Sequence, residues 1–383
     1  MTSAHHHHSR PRKRAVGAGV ALGAAFAAAA VVGVAAGATA SIEPTAADDE
    51  FTVAAVLPSA ANDLAFSQSM VDSLDRLVES GVIDDYSISE NMFVVEDAAT
   101  SIRSYAEEGF DLVIAHGSQY GGSLEEIAPD FPETAFAWGT AADTFGLDNV
   151  SGYTASSDQG AYVMGAMAAS MRGDGSIGLI GPIEVGDAKL YVDGFEAGVA
   201  SVDTDVEVGV NYTESFSDTA LAAEAATAFI DGGATVLSGS AQMTVGAVGV
   251  ASERGALWFG TNSNQTQLAP EIVVANQVYH WDVVLGDLVA SVEAGELGGI
   301  TYDINLGNEG LVIEFNEDFD IPGDVQTLAD DLIAQLASGE LVTGVGTATP
   351  AETATAGSEP MGTEAMSTDL ASETTVPSGS TEA

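Results

Sequence analysis

The stretch 51-FTVAAVLPSAANDLAFSQSM-70 contains an apolar run, then a short polar loop, then the start of an amphipathic pattern. A continuous apolar run of this length is typical of a strand that is buried on both faces, as in a parallel sheet. The loop holds one aromatic residue, Phe66, between Asp63 and Gln68, where a surface turn would be polar. Strand, loop and helix in this order predict the first unit of an α/β fold.

The same alternation of apolar and amphipathic runs continues to about residue 342. Apolar runs predict strands at 52–58, 93–97, 112–117, 135–139, 150–154, 176–183, 206–212, 235–240, 256–261, 272–278 and 311–315. Amphipathic runs predict helices at 67–80, 159–171, 218–230, 244–254, 281–294 and 324–338. The series restarts near residue 175, so residues 51–342 are expected to form two α/β lobes of parallel sheet. Lobe 1 would comprise about 51–155 plus a C-terminal return, and lobe 2 about 156–278.

The charge balance is strongly acidic, with 57 acidic residues, 9 basic residues and a formal net charge of -48. Such a surface repels nucleic acid and anionic lipid headgroups, so neither is an expected partner. The scarcity of lysine favours a protein that works in high salt, where the Debye length is roughly 3 Å at 1 M. The alternative is an ordinary acidic extracellular protein.

Both ends of the chain differ in composition from its middle. A basic cluster at 10–14 precedes an apolar stretch at 15–40 that ends in Ala38-Thr39-Ala40, which is the pattern of an export signal peptide. Because this apolar stretch is longer than a usual signal core, an uncleaved membrane anchor is the alternative. Either reading predicts an extracytoplasmic protein. Residues 41–50 are predicted to be a linker and residues 343–383 a disordered acidic tail rich in Ser and Thr.

Motifs for catalysis and metal binding are missing from the sequence. It contains no cysteine, no Gly-x-Ser-x-Gly elbow and no Walker sequence. Outside the N-terminal tract the only histidines are His116 and His280, which leaves few ligands for zinc. The acidic loop 316-NEDFDIPGD-324 lacks the Gly and Glu positions of a calcium loop. We therefore predict a protein that is not an enzyme and that uses no metal and no cofactor.

The loops after the predicted strands are rich in aromatic and amide side chains and carry few charges. In parallel sheets such loops meet at the carboxyl edge of the sheet, where ligands bind. Aromatic faces with polar groups around them suit a nucleobase or a nucleoside. Core packing is the alternative for each ring, and helix caps or turns are the alternative for the polar clusters. The predicted binding residues from these loops are Asn62, Asp63, Phe66, Gln68, His116, Gly117, Tyr120, Trp138, Phe216, Gln242, Asn262, Asn264, Tyr279 and Trp281.

Several stretches occur in the order and spacing of a known family. They are 52-TVAAVLP-58, 63-DLAFSQS-69, 109-GFDLVIAHGSQYG-121, 159-QGAYVMGAMA-168, 193-DGFEAGV-199, 212-YTESFSD-218 and 259-FGTNSNQ-265. Together they resemble the basic membrane protein family of extracytoplasmic solute-binding proteins, of the purine-nucleoside-receptor type, over about residues 51–316. The resemblance implies a type I periplasmic-binding-protein fold, in which two doubly wound parallel-sheet lobes are joined by a three-stranded hinge and clamp a ligand.

The resemblance also implies roles for individual residues. Phe66 and Phe216 correspond to aromatics that sandwich a base. Ser67 joins Asn62, Asp63 and Gln68 as a polar neighbour of the first loop. Asn262 and Asn264 occupy a loop that usually carries aspartates, so the sugar is expected to be bound differently or to be absent. The lysine that is often found after the last strand is also missing, and 279-YHWD-282 stands in its place.

The function implied by the resemblance is capture of a nucleoside or nucleobase and its delivery to the permease of an ABC importer, by a protein that we expect to be monomeric. A ligand-sensing ectodomain of the same fold, tethered to the membrane by residues 15–40, is the alternative. An extracytoplasmic nucleoside hydrolase would need a carboxylate cluster at the strand ends, where the sequence offers mainly Asp63 and Glu214.

Overall fold

The computed structural model describes residues 51–184 and 186–346. The predicted signal or anchor segment (1–40), the linker (41–50) and most of the predicted tail lie outside the described residues. Within the described part of the chain, no helix combines the length and the apolar character needed to cross a membrane.

Lobe 1 is built on a six-stranded sheet, sheet A. Its strands are β1 (Thr52–Val56), β2 (Asp85–Ser89), β3 (Leu112–His116), β4 (Ala135–Gly139), β5 (Val150–Ala155) and β11 (Thr301–Ile304). The spatial order is β11-β5-β4-β3-β1-β2, and all neighbouring strands are parallel.

Lobe 2 is built on a second six-stranded sheet, sheet B. Its strands are β6 (Ser176–Gly181), β7 (Val208–Tyr212), β8 (Ala234–Gly239), β9 (Leu257–Asn262), β10 (Val273–Tyr279) and β12 (Leu311–Phe315). The spatial order is β12-β10-β9-β8-β6-β7, with β12 antiparallel to β10 and the other pairs parallel. The predicted α/β fold with two lobes of largely parallel sheet is confirmed.

Helices cover both faces of each sheet. Those of lobe 1 are α1 (Phe66–Ser80), α2 (Val95–Glu108), α3 (Gly121–Ile127) and α8 (Asp282–Glu293). Those of lobe 2 are α4 (Ser157–Met171), α5 (Gly186–Val202), α6 (Thr219–Asp231), α7 (Thr244–Arg254) and α9 (Gly323–Ala337).

The chain passes between the lobes three times. Helix α4 follows β5 of sheet A but packs on α5 and α9, whereas α8 follows β10 of sheet B but packs on α1 and β11. The third passage runs from β11 to β12. The C-terminal segment is therefore divided, because β11 joins lobe 1 while β12 and α9 belong to lobe 2.

Successive residues of the buried strands pack into different hydrophobic clusters on the two faces of each sheet. In β1, Val53 and Ala55 join a cluster under α1 and α8, whereas Val56 joins the cluster under α2 and α3. In β9, Phe259 faces α4 and α5, whereas Trp258 joins the cluster under α6 and α7. The first of these clusters extends through both lobes, so one layer of apolar side chains is continuous across the three crossings.

Two edge strands differ from the sequence prediction. The predicted strand 93–97 is wrong, since β2 lies at Asp85–Ser89 and α2 begins at Val95. Strand β2 and the unpredicted β11 are both edge strands with partly exposed residues, so neither has the continuous apolar run of a central strand. The apolar residues Phe93 and Val94 are instead exposed in the loop before α2.

Candidate functional site

The loops that follow the strands of sheet A face those that follow the strands of sheet B. Ser263, after β9, donates a hydrogen bond from its Oγ to the carbonyl of Ala65, before α1, at 2.8 Å. The Nε2 of Gln265 donates to the carbonyl of Leu64 at 3.3 Å. These bonds join the lobes at interior strands of both sheets. We call the space between the two sets of loops the cleft.

The two edges of the cleft are built differently. The three crossings involve β5, β10, β11 and β12, at one edge of both sheets. At the opposite edge Phe93 follows β2 and Phe216 follows β7, and their ring centroids are 6.1 Å apart at an interplanar angle of 51°. We call this contact the mouth. The predicted binding residue Phe216 thus lies at the mouth, with Phe93 as its ring partner, and its role in a base sandwich with Phe66 stays a prediction.

Asp63 shapes the loop before α1. The first helical turn has no side-chain cap from Ala65, and the Asp63 carboxylate accepts from the backbone N–H groups of Ala65, Ser67 and Gln68 at 2.9, 3.1 and 3.0 Å. It also accepts from the Ser59 hydroxyl at 2.6 Å. Four donors fill the roughly four acceptor positions of a carboxylate. Asp63 is therefore a capping residue rather than a free acceptor for a ligand.

The other polar residues of this loop are also bound locally. Ser67 is buried and shares a hydrogen bond of 2.6 Å with the Ser59 hydroxyl. Gln68 accepts from the N–H of Leu64 at 3.1 Å through its Oε1. Asn62 is exposed at the start of the loop. Apart from Asn62, the predicted polar neighbours of Phe66 hold the loop in shape.

The ring of Phe66 lies flat against the imidazole of His116, at the end of β3. Their centroids are 3.9 Å apart and the planes differ by 8°. The imidazole also bonds to the backbone of the same residue, because its Nε2 is 3.1 Å from the Phe66 carbonyl. His116 therefore fixes both the ring and the main chain of Phe66.

The hydrogen bonds of His116 determine its tautomer. A carbonyl can only accept, so Nε2 carries the proton and donates to Phe66, and Nδ1 accepts from the Tyr153 hydroxyl at 2.8 Å. Burial lowers the pKa of His116 from 6.5 to about 3. The imidazole is therefore neutral at physiological pH, and it positions Phe66 without adding charge to the cleft.

Phe66 and His116 belong to a group of five contacting rings. Trp281 packs edge-on against Phe66, His116, Tyr153 and Tyr279, with centroid distances of 6.4, 5.6, 5.2 and 5.2 Å. Its indole N–H donates to the Ser69 hydroxyl at 3.0 Å. The other four rings are buried, whereas Phe66 retains solvent-accessible surface. Of the group, Phe66 is the ring that can receive a ligand.

Two predicted binding residues lie on the far face of sheet A. Tyr120 and Trp138 are part of the core under α2 and α3. The Tyr120 hydroxyl donates to the Met92 carbonyl at 2.8 Å, and the Trp138 indole donates to the Gly117 carbonyl at 3.2 Å. Alternation along β4 turns Trp138 away from the face that carries Phe66, and the role of both residues as ligand contacts stays a prediction.

The predicted residues of lobe 2 differ in their surroundings. Asn264 is committed to the protein, because it donates to Glu314 at 2.6 Å and accepts from the N–H of Thr266 at 2.9 Å. Asn262 is only 4% exposed and has a φ of 71°, a left-handed conformation that asparagine tolerates. Gln242 is half-buried in the turn between β8 and α7.

Tyr279 connects the ring group to polar residues of lobe 2 that the sequence analysis did not identify. Its hydroxyl donates to Asp187 Oδ2 at 3.4 Å and accepts from Gln277 Nε2 at 3.3 Å. Asp187 lies in the first turn of α5, and burial raises the pKa of its carboxyl to about 6. Its position directly after the β6 loop was the available signal, but an isolated aspartate is common in a chain with 57 acidic residues.

The basic residues of the described chain are all paired with aspartates. The pairs are Arg76–Asp282, Arg103–Asp130, Arg172–Asp203, Lys189–Asp193 and Arg254–Asp231. Each guanidinium or ammonium is thus already neutralised by a carboxylate within the protein. The cleft is left with aromatic, hydroxyl, amide and carboxylate groups.

The family of the protein follows from comparison with known sequences. Residues 51–328 match the family described as ABC transporter substrate-binding protein PnrA-like. The chain belongs to this family. The resemblance inferred from the sequence motifs is thereby confirmed, and the family is one of extracytoplasmic binding proteins.

Individual relatives agree with this family. A purine-binding protein of Brucella abortus is 31% identical over 277 residues, which cover 72% of this chain and 75% of that protein. Basic membrane protein A1 of Borrelia garinii is 23% identical over 308 residues, covering 76% of this chain and 87% of that protein. The solved structure of an ABC transporter solute-binding protein from Conexibacter woesei is 26% identical, with a TM-score of 0.64, and covers 76% of this chain and 97% of that one.

Proposed function

We propose that this protein captures a nucleoside or nucleobase in the cleft and delivers it to the membrane permease of an ABC importer. The observation that carries the proposal is the Phe66 ring, which is held flat by His116 on one face and remains accessible to solvent. A rigid aromatic face is a suitable platform for a planar base. The similarity to a purine-binding protein supports the same chemistry.

The charges around the cleft support an uncharged ligand. Recognition of a phosphate group normally uses Arg or Lys side chains. The five basic residues of the described chain are each engaged by an aspartate. We therefore expect nucleosides to bind and the corresponding nucleotides to be rejected.

The contacts between the lobes support binding by closure. The loop before α1 accepts hydrogen bonds from Ser263 and Gln265 of lobe 2, and the rings of Phe93 and Phe216 meet at the mouth. A ligand that contacts both lobes stabilises such a closed form relative to an open one, by its difference in affinity for the two. Recognition of the closed form by a permease would then couple capture to transport.

A thermal-shift and calorimetric titration in molar KCl tests the proposal. The probes are adenosine, guanosine, cytidine, uridine, adenine and AMP. A bound nucleoside or base present at a hundred times its Kd should stabilise the protein by about 2.7 kcal/mol, and AMP should not. The absence of binding by all nucleosides and bases would contradict the proposal, and hydrolysis of a nucleoside during the titration would identify an enzyme instead.

A further inference from the structure

Four buried oxygen atoms of lobe 2 have no hydrogen-bond partner among the described residues. They are Asp187 Oδ1, Ser240 Oγ, Thr261 Oγ1 and Gln277 Oε1. All four residues lie near the carboxyl ends of strands of sheet B or in the helix turn that follows, which is the end that faces the cleft. Because an unpaired buried polar atom is unfavourable, such atoms are normally satisfied by protein, water or ligand.

Three of these residues surround the hydroxyl group of Tyr279, namely Asp187, Thr261 and Gln277. Tyr279 bonds to Asp187 and Gln277, and the side chain of Thr261 lies beside the same hydroxyl. Tyr279, Thr261 and Gln277 are at most 1% exposed. The unpaired oxygens therefore belong to a compact group of side chains, which we call the Tyr279 cluster (Asp187, Thr261, Gln277 and Tyr279).

The hydrogen bonds determine which way the Gln277 amide points. Tyr279 has one proton, which it donates to the Asp187 carboxylate, so its oxygen must accept from the amide nitrogen of Gln277. The amide oxygen is then left unpaired, together with the second carboxylate oxygen of Asp187. Both atoms can only accept hydrogen bonds. A group that satisfies them must bring N–H or O–H donors.

The Tyr279 cluster is adjacent to the aromatic platform. The Tyr279 ring packs edge-on against Trp281 at 5.2 Å, and Trp281 packs edge-on against Phe66 at 6.4 Å. The Tyr279 cluster therefore lies two ring contacts from Phe66, and a solute that stacks on Phe66 would reach it with the part that does not stack. In a nucleoside this part is the sugar or an exocyclic amine at the edge of the base.

We infer that Asp187, Thr261 and Gln277 form an acceptor subsite of the cleft, which binds an uncharged hydrogen-bond donor group of the solute. Sugar hydroxyls and exocyclic amines supply the same donor chemistry. The inference rests on the proposed function in taking the cleft as the solute site. In this subsite lobe 2 recognises the solute through the start of α5 and the carboxyl ends of β9 and β10.

The test is a set of calorimetric titrations of the wild type and Asp187→Asn with matched probes. Asp187→Asn keeps one oxygen for Tyr279 and places an N–H₂ group where the unpaired oxygen was. Adenosine and 2′,3′-dideoxyadenosine differ in sugar hydroxyls, and adenosine and purine riboside differ only in the exocyclic amine. Asp193→Asn is the control on the same helix, because that carboxylate pairs with Lys189. Gln277→Met removes the second acceptor and provides an independent variant if Asp187→Asn does not fold.

We expect the wild type and Asp193→Asn to bind adenosine with a Kd at least ten-fold lower than that of one of the two analogues. Asp187→Asn or Gln277→Met should lose that preference. Loss for the dideoxy pair identifies sugar hydroxyls as the donors, and loss for the purine riboside pair identifies the amine. If adenosine binds but the variants discriminate as the wild type does, the acceptor subsite is wrong and the proposed function stands.

The remaining outcome concerns a wild type that binds no nucleoside and no nucleobase, which would refute the proposed function. The same proteins are then titrated with ribose and 2-deoxyribose, and with benzamide and acetophenone, which differ in an uncharged amide N–H₂ group. Discrimination within either pair that disappears in Asp187→Asn would support the acceptor subsite on its own. No binding of any probe would overturn both inferences.

Discussion

The ring of Phe66 is parallel to the imidazole of His116 at a centroid distance of 3.9 Å, and the same imidazole donates a hydrogen bond to the Phe66 carbonyl. A single neutral side chain thus holds one residue by its ring and by its backbone. A flexible phenylalanine would have to lose rotamer freedom when a ligand binds, whereas this one has lost it beforehand. The platform is therefore preorganised for stacking.

Replacement of Phe66 by alanine should weaken ligand binding with little effect on the fold. Stacking on an aromatic side chain contributes about 1–3 kcal/mol per base, which corresponds to an increase in Kd of about 5- to 150-fold. Calorimetric titration with the nucleoside that binds best measures the change. The matched control is Phe145→Ala, because Phe145 is also half-buried and stacks on Trp138 at 4.9 Å, but on the far face of sheet A. Equal effects of the two substitutions would exclude Phe66 as the platform.

His116 should contribute to the pH dependence of stability. Its pKa is about 3 in the folded protein and 6.5 ordinarily. Between these values the unfolded chain binds a proton that the folded protein does not, so stability rises with pH up to about 6.5 and then levels off. For one such group the free energy of unfolding should fall by about 2 kcal/mol between pH 7 and pH 5.

Urea unfolding of the wild type and His116→Gln at pH 7 and pH 5, in constant salt, measures this contribution. We expect the wild type to lose more stability than the variant over this interval, whatever the stability of the variant at pH 7. The carboxyl groups with raised pKa values are common to both proteins, namely Asp72, Asp158, Asp187, Glu196 and Asp303. His280→Gln provides the comparison for the second histidine. Equal losses in the wild type and His116→Gln would show that His116 is not held neutral.

Phe93→Ala should speed dissociation of the ligand. Phe93 is 49% exposed and its described ring contact is with Phe216 of the other lobe, so its loss affects closure more than folding. An aromatic pair contributes about 0.5–1.5 kcal/mol, or about 2- to 12-fold in Kd, and most of this change should fall in the dissociation rate. Stopped-flow dissociation measures it. Val94→Ala, at the adjacent exposed position, is the control, and an equal rate for both variants and the wild type would rule out a role for the mouth.

Salt should stabilise the protein. With a formal net charge of -48, repulsion between carboxylates opposes the compact state at low ionic strength and is screened at molar salt. The thermal midpoint should therefore rise by several degrees from low to molar KCl, with the steepest change at the low end. Sucrose at the same osmolality is the control for non-ionic effects. A midpoint that is independent of KCl would contradict adaptation to high salt.

The central strands were predictable from the sequence because residues buried on both faces leave continuous apolar runs. The edge strands β2 (DYSIS) and β11 (TYDI) were not, because neither contains an apolar run, whereas the apolar residues of the edge strands β7 and β12 allowed their prediction. Phe66 stood out as an aromatic residue within a polar loop. Which face of sheet A carries Trp138 depends on the helices that cover it, and this is a matter of tertiary packing.

The polar part of the site was harder to predict for a different reason. Asp63 looks like a ligand acceptor in the sequence, but the backbone of the first helical turn uses its oxygens. Asp187 looks unremarkable, but the fold brings it to Tyr279, which is 92 residues away. The type of a polar residue indicates which groups it can bind. Only the fold shows which hydrogen-bond partners it already has within the protein.

The three crossings and the mouth lie at opposite edges of the two sheets. If the lobes rotate about the crossings, the residues at the mouth move the farthest. The group of five rings that includes Trp281 moves the least. The cleft then opens most widely at the mouth, where a solute enters. The solute reaches the Phe66 platform deeper in the cleft, nearer the crossings. The contact between Phe93 and Phe216 lies farthest from the crossings, so a small rotation of the lobes is enough to break it, and its free energy stabilises only the closed form.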